Sequence, residues 1–189
     1  MAQVYANKYC FAHIPKCGGT WVRKVMEYMK LEITGDFGGN HAPAPEGHPE
    51  WTTFTFVRHP ATWLASWWAH EMRHGWPDDG PLPESWTGKT PYERMVEVMG
   101  QYKSDDFNQF ACALEAERPG YVSRFFKTFT ANCDVIGKQE NLQRDLALIV
   151  GRGTDFGPYN VTPDEYRAII TPATHNFIEM HEPMEWFGY

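Results

Sequence analysis

The sequence predicts an α/β fold of one domain over residues 1–189, and three stretches predict it. Two short runs of strand-forming residues, 9–14 and 53–57, each end at or near a proline and pass into a stretch with helical spacing of apolar groups. A third run, Cys133-Asp134-Val135-Ile136-Gly137, leads into a helix whose Leu142, Leu146, Ile149 and Val150 point one way. Strands that alternate with helices pack as a sheet with helices laid against it.

Tyr9, Cys10, Phe11, Ala12, His13 and Ile14 form the first run, and Pro15 stops it because proline cannot pair further in a sheet. The turn Lys16-Cys17-Gly18-Gly19-Thr20 follows, and Trp21, Val22, Val25, Met26 and Met29 then line one face of a helix. A glycine turn between strand and helix suits a phosphate. The first helical N–H groups lack intrahelical partners, and the helix dipole points its positive end at the turn. Lys16 adds a full charge. The turn is not the nucleotide triphosphatase P-loop, whose lysine follows the glycines and precedes Ser or Thr; here the lysine comes before both glycines.

His13-Ile14-Pro15-Lys16-Cys17-Gly18-Gly19-Thr20 resembles the 5′-phosphosulfate loop of sulfotransferases that use 3′-phosphoadenosine-5′-phosphosulfate (PAPS), in their membrane-associated carbohydrate branch. That branch usually carries Thr or Ser where this chain has Cys17, which puts one hydroxyl contact in question and leaves the backbone amides in place. The resemblance implies a three-layer P-loop nucleotide-triphosphatase-like fold with a central parallel sheet flanked by helices. It also implies that Lys16, Cys17, Gly18, Gly19, Thr20 and Trp21 surround the 5′-phosphosulfate, with the lysine stabilising the departing phosphate.

Thr53-Phe54-Thr55-Phe56-Val57 is β-branched and aromatic throughout, which predicts a buried strand. Pro60 opens the helix after it, and Trp63, Leu64, Trp67 and Trp68 form a broad apolar face over 61–74. Arg58 falls at the C-terminal edge of the strand, where open α/β sheets bind ligands. The segment from Phe56 to Ser66 resembles the family's 3′-phosphate motif, an Arg ending a strand and a Ser on the next helix. Arg58 offers a fork of donors and Ser66 a short neutral one.

Residues 31–50 carry no period and are read as loop. Within it, Asn40-His41-Ala42-Pro43-Ala44 is similar to a segment between the two nucleotide motifs of this branch, where a histidine is a candidate base; Asp36, Glu46, His59 and His70 stay open as alternatives, and His13 is read as structural. The stretch 75–91 is a long loop, either a lid or disordered. Helices follow at 91–102, at 105–117 with Ser104 as cap, and at 121–129, and another begins at Pro163. Val135-Ile136-Gly137-Lys138-Gln139-Glu140-Asn141-Leu142 resembles a family segment that has Arg where this chain has Lys138. In relatives the loop matching 151–161 closes over the nucleotide, which makes Arg152 a candidate second contact to the 3′-phosphate; the C-terminal Phe187-Gly188-Tyr189 also matches the family's close.

Composition narrows the partners. A net charge of -7 argues against a long polyanion, so no nucleic-acid partner is expected and a small-molecule or glycan acceptor is. The 4 cysteines show no metal-type spacing, and no metal is expected; Cys17, at a helix N-terminus beside a lysine, is a weaker candidate for a lowered pKa and a covalent intermediate. Neither a leader pattern nor a long apolar run occurs, which predicts a cytoplasmic protein without a membrane partner, of bacterial or viral type. Six of the 8 tryptophans, Trp51, Trp63, Trp67, Trp68, Trp76 and Trp86, cluster centrally and either line a cleft or fill a core. The activity this implies is sulfonate transfer from PAPS to a hydroxyl or amine, leaving 3′-phosphoadenosine-5′-phosphate (PAP). Two other readings stand beside it, a nucleotide-dependent phosphotransferase and a nucleotide-binding protein without turnover.

Overall fold

A computed structural model of the chain describes residues 2–38, 41–76, 90–159 and 161–189. It is mixed α/β, and it divides into two compact units: Met1–Arg58 with Phe126–Val161, and His59–Phe125 with Thr162–Tyr189.

The first unit holds a five-stranded sheet of β1 (Ala2–Tyr5), β2 (Tyr9–Ala12), β3 (Ile33–Phe37), β4 (Thr52–Val57) and β5 (Val135–Lys138), in the order β3-β1-β2-β4-β5. Only β2, β4 and β5 run parallel; β1 pairs antiparallel with both β2 and β3. The sheet is therefore mixed rather than parallel throughout. The cause is a tight turn: Ala6 and Asn7 take left-handed φ of 51°, and Lys8 N–H donates to the Tyr5 carbonyl, which folds β1 straight back onto β2. β3 lies inside the stretch read as loop. It is an edge strand with Ile33, Thr34 and Asp36 exposed, so it lacks the alternation that marks a half-buried strand.

β2 and β4 are buried because their side chains face other rings. Phe11 stacks on Phe54 at 5.2 Å and meets Phe56 edge-on at 6.3 Å. Thr55 Oγ1 donates to the Ala12 carbonyl at 2.6 Å, so even the hydroxyl of that buried position is satisfied. α1 (Gly19–Tyr28) follows β2 and buries Trp21, Val22, Val25 and Met26, the face its spacing predicts. α6 (Leu142–Val150) follows β5 through a 3-10 turn at Gln139–Asn141, and Asp145 accepts from Lys138 N–H at 2.9 Å to fix that junction.

The second unit contains α2 (Pro60–His74), α3 (Pro91–Gly100), α4 (Phe107–Glu117) and α7 (Pro172–His181), and α5 (Tyr121–Thr130) runs from it into the first unit. Trp63 and Trp67 are fully buried and stacked on each other at 6.1 Å, so these two tryptophans belong to a core. Trp86 and the central part of the 75–91 loop, residues 77–89, lie outside the described residues. α4 starts two residues later than the sequence suggests: Asp106 is its cap, accepting from Asn108 and Gln109 N–H, while Ser104 Oγ accepts from Asp106 N–H one turn earlier. The helix expected from Pro163 is only a 3-10 turn, Asp164–Tyr166; α7 starts at Pro172 behind its Thr171 cap. Among the described residues no helix is long and apolar enough to cross a membrane.

Candidate functional site

Because β2 and β4 are parallel neighbours, their C-terminal ends lie side by side, and the residues that follow them meet. Arg58, just past β4, donates from Nη1 to the carbonyl of Lys16, past β2, at 3.3 Å. The loop in between has an unusual backbone. Lys16 and Gly18 take left-handed φ of 62° and 80° on either side of Cys17, and alternation of this kind can turn successive backbone N–H groups toward an anion. Gly18 is the N-cap of α1 and has no side chain to cap it, and the first turn carries no acidic residue. Among the non-glycine residues with positive φ, Ala6 and Asn7 make the β1–β2 turn and Lys30 follows the end of α1. Lys16 and His41, at 62° and 60°, are the other two, and strain of this kind concentrates at functional sites.

Gly19 is required by contact, and Gly18 is favoured by its φ of 80°. A Cβ on Gly19 would lie 1.9 Å from His13 Cδ2, and one on Gly18 would lie 2.9 Å from Leu142 Cδ2. The loop is thus clasped between the His13 ring and the start of α6. His13 is 6% exposed, and burial, aided by the neighbouring His41 and Arg23, pushes its pKa down to about 2. His41 Nδ1 donates to the His13 carbonyl at 3.3 Å, which makes Nε2 the ring's acceptor nitrogen. Burial also lowers the His41 pKa to about 4, and the Lys16 ammonium contributes to that lowering.

The remaining candidates divide. Trp21 is buried, and its Nε1 donates to the Gly157 carbonyl at 2.9 Å, tying the 151–159 loop to α1. Arg152, on that loop, donates to the Met29 carbonyl at the far end of α1, about 15 Å along the helix from the glycine turn. There it satisfies a helix C-terminus with a cation. Ser66 lies half-buried on α2 in the second unit. Cys17 is buried, and that burial raises its thiol well above the ordinary value, against the lowering expected at a helix N-terminus. Of the other base candidates, Asp36 and Glu46 are exposed. His59 Nδ1 accepts the Ala61 N–H at 3.3 Å, and His70 packs against His74 and Trp67.

His59, His175 and Glu179 bring potential metal-ligand atoms within 4.8 Å of one another in the second unit. With Nδ1 accepting from Ala61, the His59 ring carries its proton on Nε2, directed at Glu179 3.6 Å away, so it stands as a donor rather than as a ligand. The roles of His13 and Leu142 are not readable from the chain order, since both act through close approach to a glycine that is distant or on the opposite side of a turn. Leu142 also lines a groove of about 750 Å³ with Tyr28, Glu140, Arg144, Thr154 and Asp155. Comparison with protein-family models, with curated proteins and with solved structures gives no match.

Proposed function

We propose that the chain is a sulfotransferase that moves a sulfonate group from PAPS to a hydroxyl or amine, on a P-loop nucleotide-triphosphatase-like fold. The observation that carries the reading is the hydrogen bond from Arg58 to the Lys16 carbonyl, which brings a guanidinium to the loop that leads into the uncapped end of α1. Such a site favours a multiply charged, phosphate-type anion. The N–H groups of Gly18 to Trp21 receive the 5′-phosphosulfate, Thr20 adds a hydroxyl, and Arg58 takes the 3′-phosphate. The groove beside Leu142 is of a size for a nucleoside.

In this reading the acceptor oxygen bonds to sulfur as the bond from sulfur to the 5′-phosphate oxygen breaks, and PAP leaves. Lys16 follows the oxygen that gains charge. His41, neutral at any pH above about 4, takes the acceptor proton on Nε2. Arg152, held at the other end of α1, is left out of the nucleotide site. Radiolabelled PAPS incubated with a panel of small alcohols, amines and glycans tests the reading. Lys16→Ala should lower turnover about 100- to 1,000-fold, the cost of removing one transition-state donor, with PAP affinity reduced far less. Equal turnover in the variant would remove the lysine from the mechanism, and labelled phosphate transfer from ATP would favour a phosphotransferase.

A further inference from the structure

We infer that His13 is a positioning residue that joins the glycine loop to His41 through its planar ring and its carbonyl. The inference rests on the sulfotransferase reading only for the reaction it serves. Three contacts carry it. The ring lies flat enough on the first residue of α1 that only glycine fits there, a Cβ falling 1.9 Å from Cδ2 and 2.1 Å from Nε2. The ring also meets the His41 ring, centroids 4.5 Å apart and planes inclined at 52°. The carbonyl of the same residue accepts from His41 Nδ1 at 3.3 Å.

These contacts give one residue hold of both halves of the site. The Gly19 face sets where α1 begins, and with it the direction of the N–H groups that meet an anion. The carbonyl selects the tautomer of His41, so the lone pair on Nε2 is the one available to an acceptor's proton. His13 itself is excluded as a base because burial opposes the charge it would gain with a proton, its pKa near 2. An uncharged ring is what the place needs, since His41 already sits among Lys16 and Arg23, whose charges oppose its protonation. Phe11, stacked with the His13 ring at 5.9 Å, helps to hold it in place.

Long-range nitrogen–proton spectra of the imidazole rings test this without reference to activity, on the wild type, His13→Ala and His13→Phe, together with calorimetric titration of each with PAP. In the wild type and His13→Phe, His41 should show a single Nδ1–H tautomer and titrate near pH 4. His13→Ala keeps the residue-13 carbonyl but removes the ring that packs on His41 and holds it there; the tautomers should mix as His41 leaves that carbonyl, the titration should move up by a pH unit or more toward the ordinary 6.5, and PAP affinity should fall about tenfold or more. An unchanged His41 in a folded His13→Ala would overturn the inference. Should that variant not fold, His13→Phe decides, because a folded phenylalanine variant with mixed tautomers contradicts a role for the flat ring and a single tautomer supports it. A wild type that binds no PAP, yet shows the His41 changes, would sink the nucleotide reading while the positioning role stands.

Discussion

Two helix N-termini in this molecule meet the same electrostatic demand in opposite ways. At the start of α5, in the second unit, Glu182 accepts from the N–H groups of Val122 and Ser123, both at 2.8 Å, and the side chain is 3% exposed. The chain supplies its own anion there, and the helix end is closed. At the start of α1, in the first unit, the cap is Gly18, no acidic residue stands in the first turn, and the Arg58 guanidinium reaches the Lys16 carbonyl two residues before the cap. A helix N-terminus favours negative charge in either place. The difference teaches that the first end is closed from within the chain, and on the proposed function the second is left for an anion from outside it.

The closed end also shows what an internal anion costs. Glu115, buried beside Glu182, accepts from Gly120 N–H with one oxygen, and its other oxygen, Oε1, has no partner among the described residues. A proton resolves this, because a protonated Glu115 can donate to Glu182. Burial first, then the Glu182 charge and the bond between the two carboxyls, raise the Glu115 pKa to about 9.

Placing a carboxylate at the open end should erase the difference between the two. Thr20→Asp puts a negative group in the first turn of α1, which should stabilise the fold by about 0.5 kcal/mol while PAP affinity falls about 100-fold, like charges in one site costing several kcal/mol. Urea unfolding and calorimetry read the two effects separately. At the closed end the expected effect is smaller and depends on pH. The folded protein keeps the Glu115 proton after the unfolded chain has lost it. Its contribution to stability is therefore full below pH 4.5 and declines as the pH rises toward about 9. Glu115→Gln, a neutral donor at every pH, should flatten that decline and raise the melting temperature at pH 9 by a few degrees, roughly 2 to 4 °C per kcal/mol for a chain of this size. A slope unchanged by the substitution would remove Glu115 as its source. The smallest effect belongs to Arg152→Ala, about 0.5 kcal/mol from the C-terminus of α1, with PAP affinity unchanged; a tenfold loss of affinity would return Arg152 to the nucleotide.

What could be read from the chain was local. The run through Phe11, the glycine turn, the apolar face from Trp21 to Met26 and the strand before Arg58 are contiguous patterns, and they hold within a residue or two at most ends. β1 and β3 escaped because four buried residues and five at the sheet edge both carry too little alternation, and the antiparallel return depends on two left-handed residues, Ala6 and Asn7, that are not glycine. Cys17 shows two local rules in conflict, the helix end lowering a thiol pKa and burial raising it; burial wins because the side chain is 2% exposed. The family resemblance makes Arg152 a candidate contact to a phosphate, and in the structure its guanidinium donates to the Met29 carbonyl. The hold of His13 on Gly19 needs a contact across the turn that no spacing in the sequence expresses.

The central claim is that the open end of α1, with Lys16 and Arg58, is a site for a 3′-phosphorylated adenosine nucleotide. Calorimetric titration of the wild type and Arg58→Ala with PAP, ATP and ADP tests it most directly. The account predicts micromolar binding of PAP, weak binding of ATP and ADP, and loss of PAP binding in the variant. Tighter binding of ATP than of PAP, or PAP binding that survives in Arg58→Ala, would contradict it.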